Sequence, residues 1–426
     1  ADPGGRYSNR PGSSLRDIFL LWEPQTNTPL SQRLKVLDRL RNSHSEQAWK
    51  LMNSILPSGH DSVSPSGRTR WRDFDATERE TISYPLIRQG AREITHRLLE
   101  DVGTDVGRWE QLLGRLSDIP EEDLQGLLDQ LRHCERNLTD EADRACLWNR
   151  LRTVMNNHRE FPDAEWSLEE DKIVELEEVY NLLAPHDPIQ KLGWLFSNGV
   201  SLVRPMSDWE KNEQLLAELR TTESAMLLRD HGVDAVFKLA HYAVNAMALG
   251  WAVAQGDQAQ EQLTSLIERG LRSDDLKHQQ MAQGAIGAKA QPQDQWLESL
   301  VKIAVENNWG YKTVVQILHS LRPCSWTWSL AAQAGGDVDS EYWRTVHALG
   351  IDSTEDEVGL VVAKLLSAGR AHDAIQFVSG RKRFAQLPTG DLIQMLRAAA
   401  TQPYPANDDR NAGVMFQYYL EQMLSY

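Results

Sequence analysis

Short amphipathic segments that carry helix-start and helix-stop signals follow one another along this sequence, and they constrain its fold more than any other feature. In TPLSQRLKVLDRLRN, Thr28 is placed to cap a helix, Pro29 suits the first helical position, and leucines recur every three or four residues. In SEQAWKLMNSIL, Ser45 is placed to cap a second helix, which ends before Pro57. The pair predicts an antiparallel helical hairpin.

The same pattern continues to the C-terminus, as in EEDLQGLLDQLRHCERN and QEQLTSLIERGL, without a convincing pair of strands. Hairpins that can each bury only one face against a neighbour predict an all-α fold, an α-solenoid of stacked antiparallel hairpins with a degenerate tetratricopeptide- or HEAT-like period. We expect an N-terminal array over residues 1–200, with a long crossing at 57–80, and a continuous C-terminal array over 201–426. The alanine- and glycine-rich helices after residue 226 should approach one another closely.

Composition excludes several classes of function. The chain is 41% hydrophobic and 25% charged, and no apolar run approaches the roughly 18 residues of a membrane helix, so we expect a folded protein with no membrane span. A net charge of −16 argues against nucleic-acid binding. Three cysteines and no secretory signal indicate the cytoplasm. The start ADPGGRYSNRP and the end YYLEQMLSY suggest a segment of a larger protein.

The common enzyme signatures are missing from the sequence. WGYKT at 309–313 lacks the first glycine of a phosphate-binding loop, and no G-x-S-x-G, H-E-x-x-H or C-x-x-C pattern occurs. Cys134 follows His133 directly, and adjacent helical residues do not face one another. The twelve histidines are scattered. We therefore predict no catalytic residues, no cofactor and no metal site, and expect the chain not to bind or hydrolyse ATP.

The predicted crossing contains the sequence LPSGHDSVSPSGRTRWRDF. His60 and Asp61 could form an acid–base pair, but no nucleophile turn completes the site. The tryptophan at position 71 is predicted to anchor the crossing in the core. An extended segment would place Arg68, Arg70 and Arg72 on one side. These arginines either pair with carboxylates of adjoining helices, which we favour, or contact a partner.

A second stretch, HREFPDAEWSLEEDKIVELEEVY, combines two aromatic residues with an acidic run. Phe161 and Trp166 are predicted to fill the interior of a hairpin, next to a helix-entry turn made by Pro162 and Asp163. The glutamates around Glu169 favour a helix start and form a solvated face. Docking of a basic partner is the alternative reading of this face.

Several segments taken together resemble a known class of proteins. ADPGGRYSNRP, FLLWEPQTNTPLSQRL, AWKLMNSILPSGHDSVSPSGRTRWRDF, HREFPDAEWSLEEDKIVELEEVYNLLAPHDPIQKLGWLF, DVDSEYWRTVHALGID and KLLSAGRAHDAIQFV are similar, in this order, to the helical-repeat region of large bacterial antiviral defence proteins. These are the AVAST-type NTPases of the STAND class and related multidomain proteins.

The resemblance implies a role in recognition. A phage protein would bind the helical array, the parent protein would form a homo-oligomer, and an NTPase and an effector in other parts of the parent would do the chemistry. Two alternatives remain open. One is a hydrolase with a dispersed site that uses His60 and Asp61, and the other is a general protein-interaction scaffold.

Overall fold

The chain is all-helical in a computed structural model that describes residues 10–58, 63, 80–257, 260–289, 295–380, 382–402 and 410–425. No strand occurs among these residues. Two compact units are formed. The first runs to Trp194 and includes Gly199–Gln214, and the second contains Leu195–Asn198 and the chain from Leu215 onwards. The all-α prediction is confirmed for the described part of the chain.

The first nine helices of the described residues lie in the first unit. They are α1 Pro11–Phe19, α2 Leu30–Ser43, α3 Ser45–Ile55, α4 Tyr84–Val102, α5 Val106–Leu113, α6 Leu124–Asn137, α7 Glu141–Glu160, α8 Glu170–Leu182 and α9 Pro188–Leu192. Short 3₁₀ turns at Leu116–Asp118 and Glu121–Asp123 connect α5 to α6, and another follows α9 at Gly193–Phe196.

The remaining helices are α10 Trp209–Tyr242, α11 Ala246–Gln255, α12 Gln260–Leu271, α13 Leu276–Lys289, α14 Gln295–Glu306, α15 Tyr311–His319, α16 Ser325–Ala334, α17 Gly336–Thr345, α18 Val358–Ser367, α19 Ala371–Gly380, α20 Thr389–Thr401 and α21 Arg410–Leu424. Helix α10 is broken at Gly232, whose φ of 74° is open to glycine at little cost. Short 3₁₀ turns lie at Ala348–Gly350, Glu355–Glu357 and Arg383–Gln386.

The start of α2 differs from its sequence prediction. The helix begins at Leu30, after Pro29, and the hydroxyl of Thr28 interacts with Thr26 instead of capping it. The backbone N–H of Leu30 donates to Oε2 of Glu80 at 2.7 Å. A carboxylate fifty residues away thus satisfies an amide that has no partner inside the helix, and its charge suits the positive end of the helix dipole.

The core of the first unit is built from the faces that the periodicity predicts. In α3, the apolar positions Ala48, Leu51, Met52 and Ile55 are all buried. The indole of the buried Trp49 donates to Oε1 of Gln111 at 2.9 Å, which satisfies its polar edge. Several of these helices pack on the next helix or on the next but one: α3 contacts α4, α4 contacts α6, and α6 contacts α8.

The second unit contains an unusually close helix pair, α11 and α13. A Cβ atom on Gly250 would lie 1.7 Å from the carbonyl oxygen of Met281, and one on Gly284 would lie 2.1 Å from that of Met247. Only glycine allows two backbones to approach so closely. This confirms the close approach predicted from the glycine and alanine content. None of the described helices carries an apolar stretch of the length that a bilayer requires.

Candidate functional site

Most of the site residues singled out in the predicted crossing lie outside the described residues. They are His60, Asp61, Arg68, Arg70, Trp71 and Arg72. Their roles, internal pairing, partner contact and anchoring, therefore stay predictions. The structure does describe the second stretch, which forms a loop between α7 and α8. We call residues 161–169 the aromatic loop.

The aromatic loop has a fixed backbone. The N–H of Phe161 donates to the carbonyl of Asn157, that of Ala164 to Phe161, and that of Ser167 to Ala164, so that turns follow directly from the end of α7. Side chains complete the loop: the Ser167 hydroxyl donates to the carbonyl of His158 at 2.9 Å. A loop with its polar groups bonded internally holds its side chains in place before any partner arrives.

A buried histidine closes this loop. The ring of His158 is 2% exposed, and its Nδ1 accepts the backbone N–H of Leu168 at 3.1 Å. A nitrogen that accepts a hydrogen bond must be unprotonated. Burial lowers the pKa of His158 below its ordinary value, because the interior disfavours the charged ring. His158 is therefore a neutral structural residue at pH 7.

Phe161 and Trp166 are exposed, which corrects the prediction that they fill a hairpin interior. Their side chains are 52% and 42% exposed, and their ring centroids lie 6.2 Å apart. The Trp166 ring also lies 5.4 Å from the ring of His158. The reason is that the long α7 is buried through other side chains, including Trp148, Leu151 and Met155. The Trp166 ring packs beside His158, and both rings face solvent.

The two rings belong to an acidic stretch of the sequence. Residues 161–178 contain eight acidic side chains and one basic side chain. Arg159 holds two of the carboxylates, with Nη2 2.8 Å from Oε1 of Glu170 and 2.6 Å from Oε2 of Glu177. Burial raises the pKa of Glu177, but hydrogen bonds from Arg204 and Arg159 outweigh it, and the pKa lies below its ordinary value. Glu177 is therefore ionised at neutral pH.

Four of the carboxylates have no cation within ion-pair distance among the described residues: Asp163, Glu165, Glu169 and Asp171. All four side chains are exposed. The aromatic loop and the first turn of α8 thus present two rings and four unneutralised charges to solvent. Sequence reasoning found the acidic run and both aromatic residues but placed the rings inside.

The first unit also contains a guanidinium held by aromatic rings, which sequence reasoning missed. Arg152 is 2% exposed, and its Cζ lies 4.0 Å from the ring centroid of Trp148 and 3.7 Å from that of Trp194. Its Nε donates to the hydroxyl of Tyr180 at 3.3 Å and its Nη1 to Asn149 at 2.8 Å. No carboxylate of the described residues pairs with it, and burial lowers its pKa.

One serine–histidine pair in the second unit has a geometry that bears on the hydrolase alternative. The hydroxyl of Ser273 lies 2.9 Å from Nδ1 of His278, whose Nε2 donates to the carbonyl of Phe237 at 3.1 Å. Asp275 accepts from Nδ1 of His241 at 2.8 Å, and this bond, first among the causes, lowers the pKa of Asp275. The four side chains thus include a nucleophile, a base and a carboxylate.

The same residues stabilise the start of α13. The Ser273 hydroxyl accepts the N–H of Asp275 at 3.1 Å, and Oδ1 of Asp275 accepts that of Lys277 at 2.8 Å. Two amides that could stabilise an oxyanion are therefore already bonded. Two grooves of this unit are lined by other residues. The arrangement is that of a helix cap.

Two grooves lie on the surface of the second unit. One, of about 660 Å³, lies between α10 and α11 and is lined by residues that include Arg220, Thr221 and Trp251. The other, of about 720 Å³, lies between α14 and α16 and is lined by residues that include Glu298, Lys302 and Leu330. Among the residues that the structure describes, no histidine or cysteine lines either groove.

The described part of the chain contains neither an assembled metal site nor an activated thiol. No group of three or more histidine, cysteine, aspartate or glutamate side chains there is placed to hold a metal ion. Burial raises the pKa of the Cys134 thiol to about 11 and that of Cys146 to about 12. Both thiols are therefore protonated and poorly nucleophilic at neutral pH.

No protein-family model, curated protein or solved structure was found to match the chain.

Proposed function

We propose that this chain is a protein-recognition region with no reaction of its own, and that the aromatic loop is its contact surface. The observation that carries the proposal is the exposure of Phe161 and Trp166 on a loop whose backbone is fixed by its own hydrogen bonds. Exposed aromatic rings on a rigid base contribute binding energy without the cost of ordering a flexible segment.

The proposal includes a stacked array of helical hairpins of the tetratricopeptide or HEAT kind. Contacts inside each unit support it, because helices pack on the next helix and on the next but one: α5 on α7 and α7 on α8 in the first unit, and α14 on α15 and α16 in the second. Repeat arrays bury their apolar faces in this stepwise way, and they commonly act as binding surfaces.

The setting proposed for this recognition is antiviral defence in the bacterial cytoplasm. The sequence resemblance is its support: a phage protein would be the ligand, and oligomerisation and an effector would belong to other parts of a parent protein. A set of phage proteins, each produced with the chain, tests this part separately. Binding of one of them through the aromatic loop supports the setting, and binding only of host proteins removes it.

The recognition role is tested by replacing the two rings. A photo-crosslinking amino acid at position 165 captures the partner, and the purified partner is then titrated against the wild-type chain and a Phe161→Ser/Trp166→Ser variant. We expect the variant to bind about tenfold more weakly or worse, at an unchanged melting temperature. Trp251→Ser is the matched control, because Trp251 is similarly exposed but lies in the second unit.

Two outcomes would contradict the role. One is a partner that binds the ring variant as tightly as the wild-type chain. The other is catalytic turnover of any substrate by the isolated chain in the absence of its partner, since the proposal gives this chain no reaction of its own.

A further inference from the structure

The inference concerns the chemical class of the partner and rests on the proposed function of the aromatic loop. We propose that the surface formed by the aromatic loop and the first turn of α8 binds an extended, arginine-bearing basic segment of another protein. The rings of Phe161 and Trp166 would hold a guanidinium, and the four unneutralised carboxylates would pair with further cations along the segment.

Charge complementarity is the first argument. Asp163, Glu165, Glu169 and Asp171 lie within nine residues of one another, are exposed, and form no ion pair among the described residues. Like charges that are exposed side by side repel one another, so that a ligand carrying positive charge gains from each of them. An acidic ligand, including a second copy of this chain with its net charge of −16, is disfavoured by the same charges.

The aromatic rings supply the second argument. A guanidinium over an aromatic face gains from the ring quadrupole, and arginine stacks better than lysine because it is planar and weakly hydrated. Other parts of this chain use the same contact. Arg152 lies between two tryptophan rings without a carboxylate partner, and Cζ of Arg269 lies 4.4 Å from the ring centroid of Phe237.

The geometry of the loop favours an extended segment over a folded domain. The two ring centroids are 6.2 Å apart, about the distance between side chains i and i+2 on one side of an extended strand, at roughly 3.3 Å per residue. Carboxylates lie on both sides of Trp166 in the sequence, at Glu165 and Glu169. Two arginines at every second position of the ligand could therefore meet the two rings in turn.

The test uses synthetic peptides and the whole chain. A fluorescein-labelled dodecamer of alternating arginine and serine is titrated by fluorescence anisotropy, beside the same peptide with lysine and with citrulline, which keeps the shape of arginine without its charge. We expect binding in the order arginine, lysine, citrulline, with at least tenfold between the first and the last. Affinity should fall as salt is raised, because the carboxylates are exposed.

Two sets of variants separate rings from charges. Phe161→Ser/Trp166→Ser should weaken the arginine peptide about tenfold and reduce the advantage of arginine over lysine. Asp163→Asn/Glu165→Gln/Glu169→Gln should weaken both peptides and flatten the salt dependence. Asp257→Asn/Glu261→Gln/Asp356→Asn is the control, since it changes the net charge equally at exposed carboxylates of the second unit. Its peptide affinities should match those of the wild-type chain.

The outcomes distinguish this inference from the proposed function. The proposal of a basic partner is overturned if the arginine peptide binds the control and the Asp163→Asn/Glu165→Gln/Glu169→Gln variant with equal affinity. It is also overturned if the arginine peptide binds the wild-type chain no more tightly than the citrulline peptide does. If the ring variant still loses its captured protein partner, the recognition role stands with a partner of another class. Self-association of the chain that depends on Trp166, measured by analytical ultracentrifugation, would also overturn the inference, because a second copy would then occupy the surface.

Discussion

Gly250 of α11 faces the backbone of α13 so closely that a Cβ atom would lie 1.7 Å from the carbonyl oxygen of Met281. Gly284 of α13 faces the carbonyl of Met247 in the same way. The two glycines form a reciprocal contact between backbones, in which neither obstructing atom is a side chain that could rotate away. The helices can accept a side chain at either position only by moving apart.

We predict that Gly250→Ala destabilises the protein by at least about 3 kcal/mol, because the added methyl group must separate α11 from α13. Gly284→Ala should behave alike. The matched control is Gly359→Ala in α18, where nothing lies within 4 Å of the new atom, and we expect a change within about 1 kcal/mol. Urea denaturation followed by circular dichroism measures all three. Equal midpoints for Gly250→Ala and Gly359→Ala would contradict the close contact.

His158 predicts a pH dependence of stability. Burial holds its folded-state pKa below the ordinary value of 6.5, so that below pH 6.5 the unfolded chain binds a proton that the folded chain does not. Stability should therefore fall as the pH is lowered from about 7 towards 5 and recover as it is raised. In His158→Asn, the amide oxygen can still accept the Leu168 N–H but does not titrate. This variant should lose part of the slope between pH 5 and 7, and an unchanged slope would count against the assignment.

We predict that Arg152 contributes to the stability of the fold through its contacts with aromatic rings and not through an ion pair. Arg152→Ala should cost about 3 kcal/mol, through the cavity that it leaves and the lost stacking on Trp148 and Trp194. Arg152→Met, which refills much of the space with apolar atoms, should cost less than half as much. Arg204→Ala removes an exposed ion pair with Glu177 and should cost well under about 1 kcal/mol. Unfolding midpoints in 0.1 and 1 M salt should show the Arg152 effect unchanged.

Ser273 and His278 should support the capping residue Asp275 at the start of α13 and should not catalyse. A fluorophosphonate probe, which reacts with activated serine hydroxyls, should leave Ser273 unlabelled. Ser273→Ala should lower the unfolding free energy by about 1 kcal/mol, because the N–H of Asp275 loses the hydroxyl that accepts it. Labelling that disappears in Ser273→Ala would replace the capping role with an enzymatic one and revive a hydrolase built from dispersed residues.

The sequence predicts correctly those parts of the fold whose structure depends on a single segment. The spacing of Leu51, Met52 and Ile55 indicates a buried helix face without any knowledge of its neighbours, and the face is buried. The glycines of α11 and α13 indicate a close approach because a missing Cβ has few other uses inside a helix. Neither inference needs the position of a distant residue.

The features that sequence reasoning could not reach depend on distant residues. Arg152 is enclosed by Tyr180 and Trp194, 28 and 42 positions along the chain, and no pattern in the sequence pairs them. Phe161 and Trp166 are residue types that are usually buried, but other side chains of α7 fill the core beside them. Their exposure, on which the candidate site depends, is decided by packing that the local sequence does not express.

The bond between Leu30 and Glu80 has a consequence for the order of folding. The first turn of α2 receives its cap from a residue fifty positions away, so this bond cannot form while the chain between the two is open. Closing such a loop is entropically costly and slows the contacts that depend on it. The periodic interior of α2 can become helical early, whereas its first turn gains its partner only when Glu80 arrives. A ribosome-bound chain that has not yet exposed residue 80 would carry α2 with a frayed start.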